Sequence, residues 1–194
     1  MPTTTLNRGA APILVREARP MQTTDVGLLI VRLVVGLIFA AHGAQKAFGW
    51  WAGPGWTGWV GVMERLRFRP TRVFAGVSMA TELGGGLLLA AGFLTPVATM
   101  LIIGQSVVII FKAHWPRGFW NRDNGFEFPL ALAGGALGVA LTGPGAISLD
   151  AVAGLLPPDG VRLVLVALGL IGGVATLAVP QLNRLAPGED PPPS

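Results

Sequence analysis

The chain has 194 residues, 52% of them hydrophobic and only 12% charged, and it contains no cysteine. It is too apolar for a water-soluble domain, and its apolar residues come in blocks, so it reads as an integral membrane protein lodged in a lipid bilayer. The absence of cysteine excludes disulfides, iron–sulfur clusters, covalent c-type haem and thiol redox centres, so any redox chemistry needs a bound cofactor or carrier. The formal net charge of +4 does not argue for nucleic acid, because the basic residues flank hydrophobic blocks, where they set membrane topology.

Residues 1–24 mix Pro, Thr and Arg and are expected to form a flexible N-terminal tail that touches the membrane surface through Arg8, Arg16 and Arg19. They do not read as a cleaved signal peptide, since the next apolar block exceeds a signal's core and Arg32 interrupts it. That block, residues 28–49, is the first span, because about 20 apolar residues cross a hydrocarbon core of about 30 Å. It carries Arg32, His42 and Lys46, each costing on the order of 3 kcal/mol near the bilayer centre, so they should face protein or water. Arg32, Gly36, Phe39, Gly43 and Lys46 recur at helical spacing, and this stripe is the face expected to receive the other helices.

Beyond it, Trp59, Val62, Met63 and Leu66 lie at helical spacing opposite Glu64, Arg65, Arg67 and Arg69, the pattern of a short interfacial helix. Span 2, residues 73–92, contains Glu82, and its Gly76, Ala80 and Gly84 form a small-xxx-small face that predicts close helix approach. Span 3 starts at Thr95-Pro96 as the second arm of a hairpin and reaches Lys112, followed by a polar aromatic loop with Asn124-Gly125 as its turn. Span 4, residues 128–141, is short, with Glu127 at its mouth and Gly134 and Gly138 as a GxxxG pair. Residues 161–179 supply a fifth span with Gly169 and Gly173 four apart, and 181–194 are Pro-rich and expected to be disordered. The division is thus a tail over 1–24, a bundle over 25–150, an additional transmembrane helix over 151–180 and a tail over 181–194. The fold class is an all-α integral membrane protein: a four-helix transmembrane bundle, a fifth C-terminal span and a short interfacial helix.

The side holding the loop between spans 1 and 2, here side B, carries Lys46, Arg65, Arg67, Arg69, Arg72, Lys112, Arg117, Arg122 and Arg184. The other side carries Arg8, Arg16, Arg19 and Arg162, so the positive-inside rule puts side B in the cytoplasm. All six tryptophans, Trp50, Trp51, Trp56, Trp59, Trp115 and Trp120, also fall in side B loops.

The stretches RLVVGLIFAAHGAQKAFG in span 1, ELGGGLLLAAGFLTP in span 2 and FEFPLALAGGALGVALTGPGAISLD through span 4 resemble the DoxX family of small bacterial and archaeal membrane proteins. The resemblance covers roughly residues 28–150. It implies a four-helix membrane core in a cytoplasmic membrane, and an oxidoreductase label that the family takes from a subunit associated with thiosulfate:quinone oxidoreduction.

Arg32 and Glu82 are expected to form a buried pair between spans 1 and 2. Its plainer reading is a lock on helix register; its functional reading is a proton-accepting carboxylate beside a carrier. Glu82, His42 and Arg32 are accordingly the candidate catalytic residues. A quinone needs an apolar slot and one donor per carbonyl oxygen, and His42, Lys46 and Glu127 are its candidate binding residues. His42 and Lys46, one turn apart, share a face. The plainer alternatives are that Lys46 and Lys112 snorkel as span-end anchors and that His114 caps a loop. A haem held by His42 and His114 has no further motif behind it, and no metal site is expected. Two functions follow: a small subunit of a quinone-linked membrane oxidoreductase system, or a non-catalytic assembly or scaffold protein that docks a protein partner on its Trp-rich cytoplasmic face. A solute or proton pathway is a third, and five short spans without repeats argue against it.

Overall fold

The computed structural model describes residues 21–185, and their regular structure is helical. Helix α1 (Thr23–Phe48) opens where the backbone N–H of Gln22 donates to Asp25 Oδ2 at 2.8 Å and closes at Gly49 in the left-handed region. It begins two residues inside the expected N-terminal tail, and at the other end the last helix runs on to Leu185, so residues 181–185 are helical where a disordered tail was expected; residues 1–20 and 186–194 lie outside the described residues. There follow α2 (Gly55–Arg65), α3 (Thr71–Ala91), α4 (Thr95–Arg117), α5 (Glu127–Thr142), the short α6 (Leu149–Ala153) and α7 (Asp159–Leu185). Among the described residues α1, α3, α4 and α7 are long and apolar enough to cross a membrane. The 16 residues of α5 reach only about 24 Å.

The expected stripe on α1 is the buried one: Arg32, Gly36, Phe39 and Gly43 all face inward, and Lys46 is largely covered. Gly36 and Gly43 let α1 and α3 approach until their backbones touch. A Cβ on Gly36 would sit 2.6 Å from the carbonyl oxygen of Gly86, and one on Gly43 would strike the backbone of Leu83. The small residues of α3 that serve this approach are therefore not those expected. Gly84 has nothing within 4 Å of a Cβ position, and the buried line of α3 runs instead through Ala75, Ser78, Glu82, Gly86 and Leu89. Burying Glu82 turns this line inward and carries Gly76, Ala80 and Gly84 off it.

The C-terminal helix is built into the bundle. Helix α7 packs along α4, where a Cβ on Gly169 would meet Met100 O at 2.5 Å and one on Gly173 would meet Gly104 O at 2.7 Å. Gly134 and Gly138 of α5 contact nothing and point outward. Val35, Phe39, Leu89, Ile102, Leu132 and Val139 fill the centre. As its pattern predicts, α2 buries Met63 and exposes Glu64 and Arg65, and the chain after it drives Phe68 fully inside.

Two stretches depart from the α-helix. Helix α3 contains a π turn at Thr81–Gly85 and α4 another at Ile109–His114. Each leaves main-chain bonds one residue out of register, a feature that recurs at functional sites.

Candidate functional site

The two buried cations of α1 lie about 21 Å apart along its axis and serve different ends of the bundle. Arg32 does not pair with Glu82. Its Nη2 donates to the carbonyl oxygen of Ile147, its guanidinium lies against Gly92, and the Asp150 carboxylate acts on it electrostatically. Asp150 in turn accepts from the backbone N–H of Leu94 at 2.7 Å and Thr95 at 2.8 Å, and Asp25 accepts from Ala146 N–H at 2.8 Å. These groups tie the segment after the short α5 back into the bundle and satisfy its polar backbone there. The expected pair fails because helical side chains lean toward the N-terminus of their own helix. Arg32 therefore leans toward its own end of the membrane, and Lys46 leans from side B into the bundle.

Lys46 is the partner of Glu82. The two form an ion pair with the glutamate side chain 1% and the lysine side chain 12% exposed. Around it, Gln105 Nε2 donates to Glu82 Oε1 at 2.9 Å and to Ser78 Oγ at 2.8 Å, and the Lys46 ammonium sits 3.9 Å from the centre of the Trp59 ring. Glu82 Oε2 and the Trp59 indole nitrogen are buried without a partner among the described residues. The network spans α1, α2, α3 and α4. Gln105 was not singled out by sequence reading, although a glutamine inside an apolar span must find its partners within the protein and is a readable signal.

On the far side of Gln105 lies a cavity of about 300 Å³ bounded by α2, α3, α4 and α7. Its walls are mostly apolar, with Met63, Phe68, Phe74 and Val108 prominent, and its polar groups are few: Ser78, Thr81, Gln105, Lys112 and Thr176. Both π turns border it, one through Thr81 and the other through Ile109, Lys112 and Ala113. The Lys112 ammonium lies 6.0 Å from the Phe68 ring centre.

The remaining predicted residues lie away from this cavity. His42 is exposed on α1, one turn before Lys46, and feels the charges of Glu82, Lys46 and His114. His114 Nδ1 donates to the carbonyl oxygen of Asn124 at 2.7 Å, the loop cap expected of it. Glu127 also serves the loop, its Oε2 accepting from the backbone N–H of Asn121 at 2.9 Å. Around this loop Trp115 stacks between Phe111 and Phe126, with ring centres 5.1 and 4.8 Å away.

Comparison with known proteins agrees with this architecture. The DoxX family model matches residues 27–115. The chain is 30% identical to inner membrane protein YqjF of Escherichia coli over 129 residues, covering 65% of this chain and 91% of that protein. It is 30% identical to inner membrane protein YphA of Escherichia coli over 132 residues, covering 63% and 87%. A membrane protein of Mycobacterium tuberculosis, Rv3486, is 29% identical over 134 residues, covering 63% and 78%. No solved structure matches the chain. The family match ends before α7, so the cavity wall that α7 supplies lies outside it.

Proposed function

Because the chain belongs to the DoxX family and is a multi-pass protein of the cytoplasmic membrane, we propose that it is a small subunit of a quinone-linked oxidoreductase system, with the cavity beside Gln105 as its quinone site. The observation that carries this reading is an apolar chamber of about 300 Å³ whose polar wall is hydrogen-bonded to a buried carboxylate. Ligand sites of this size are typically apolar with a few convergent polar groups. A bound quinone would accept two electrons, delivered by a partner protein, and two protons.

The chain's own residues bind and supply protons. Ser78 Oγ accepts from Gln105, which leaves its hydroxyl hydrogen to donate to a carbonyl oxygen in the cavity. Lys112 supplies a cationic donor at the side B end of the chamber. Glu82 stands one hydrogen bond behind Gln105 as the proton-exchanging carboxylate, with Lys46 holding it in place. His42 lies on the outer face of α1, about 9 Å inside its side B end, and takes no part in this proton path. Arg32 acts on the fold alone, and Glu127 shapes the loop.

The test is to purify the protein in mild detergent and extract what it retains. Quinone near one per chain, reduced at least tenfold by Gln105→Leu or Glu82→Gln in protein that still elutes as a single species, supports the reading. Folded wild type that holds no quinone and takes up none when it is added refutes it.

A scaffold role draws on one specific observation, the aromatic platform on side B, where Trp50, Trp51, Trp115 and Trp120 are each more than half exposed. Under that reading the platform docks a protein partner. Trp115→Ala with Trp120→Ala would then release a co-purifying protein without changing quinone content.

A further inference from the structure

We infer that the cavity is loaded sideways from the bilayer, through a portal centred on Gly172, and so selects a quinone with a long apolar tail over a short water-soluble one. This rests on the quinone reading above and adds the route and the ligand class. The argument is one of depth and polarity. Three residues that line the chamber are also open to the outside of the bundle: Val77 of α3 is 58% exposed, Leu101 of α4 36% and Leu168 of α7 51%. By rise per residue, Val77 lies about 9 Å inside the side B end of α3, while Leu101 and Leu168 lie about 9 and 14 Å inside the opposite ends of α4 and α7. The opening therefore faces hydrocarbon. Its lip carries no charge, and the polar groups Ser78, Gln105 and Lys112 sit deeper or toward side B.

Such a gradient sorts an amphiphile. The headgroup moves inward to the hydroxyl and amide, and the tail stays in the lip among side chains that lipid would otherwise cover. A headgroup without a tail leaves the lip unfilled.

Gly172 distinguishes the portal from the packing. Gly169 and Gly173, its neighbours, are wedged against α4, but a Cβ on Gly172 meets nothing within 4 Å although the residue lines the chamber. A large side chain there has room to fold and will close the mouth.

The experiment uses the full chain in phosphatidylethanolamine–phosphatidylglycerol nanodiscs, loaded with decylubiquinone or with its tail-free headgroup, 2,3-dimethoxy-5-methyl-1,4-benzoquinone. Excess empty nanodiscs then strip freely partitioned quinone. Retention of decylubiquinone near one per chain and at least tenfold less of the headgroup alone is expected. Gly172→Trp and Val77→Trp, from opposite lips, should each cut decylubiquinone retention at least tenfold; Gly172→Ala and the outward-facing control Gly134→Trp should stay within twofold of wild type. Equal retention of both quinones, or Trp variants that bind like wild type, overturns the portal and leaves the quinone site standing. If wild type retains neither quinone, the quinone reading fails and a diazirine-tailed fatty acid takes its place as probe. Labelling at Met63, a buried residue of the chamber wall, that Gly172→Trp abolishes supports sideways loading, and no labelling there overturns it.

Discussion

Replacing Lys46 by Met removes the cation that faces a carboxylate only 1% exposed. Two unit charges about 4 Å apart at an effective dielectric near 20 attract by about 4 kcal/mol, and stripping one partner from a buried pair typically costs about 3–5 kcal/mol. Lys46 also gives up its place over the Trp59 ring, worth about 1 kcal/mol. Lys46→Met is therefore expected to destabilise the protein by about 4 kcal/mol, and Glu82→Gln by about 3 kcal/mol. The double variant Lys46→Met/Glu82→Gln has no unpaired charge and should lie within about 2 kcal/mol of wild type. The assay is reversible unfolding in mixed micelles of rising dodecyl sulfate content, followed by near-ultraviolet circular dichroism, with the four proteins forming a double-mutant cycle. A double variant that loses the sum of the single losses to within about 0.5 kcal/mol would refute the pairing, and with it the assignment of Lys46 rather than Arg32 to Glu82.

Gly43→Val places a Cβ on the backbone of Leu83 and should cost about 3 kcal/mol or more in the same assay, whereas Gly134→Ala, which meets nothing, should be neutral or slightly stabilising. Asp150→Ala strands the buried N–H of Thr95 and the half-buried N–H of Leu94 and should cost about 3 kcal/mol, with faster amide exchange at those two positions as the local signature. Gln105→Leu gives up two hydrogen bonds, a loss of about 1–2 kcal/mol, and should lower quinone retention far more than it lowers stability. If retention and stability fall in proportion, Gln105 holds the bundle rather than the ligand.

How far the site was legible follows from the same residues. Glu82 and Lys46 stand out as charges in apolar blocks, since desolvation makes any such charge conspicuous. Their mutual pairing did not, because Arg32 and Lys46 share one stripe of α1 and chain order alone permits either to meet Glu82. The backward lean of helical side chains would have favoured Lys46. Gln105 and Asp150 were also readable as polar residues within or beside spans, but their partners, Ser78 and the turn at Leu94, come from other elements. For His42 and Glu127 the residue type was legible and its placement was not. Titratable groups near a membrane face look alike in sequence, and only the fold shows that one lies on the outside of α1 and the other braces a loop.

The membrane class, the long spans, the inward stripe of α1 and the amphipathic α2 are all written in the order of the residues. These depend on hydrophobic burial summed over windows of about 20 residues and on helical periodicity, both local properties of the chain. The tertiary structure alone decided which cation meets which carboxylate, how the segment after α5 returns to Arg32 and Asp25, and that α7 closes a chamber with α2, α3 and α4. Each depends on the axial offset and rotation of one helix against another. Contacts at Gly36, Gly43 and Gly169 and the π turns of α3 and α4 set those quantities, and they exist only once the helices have met.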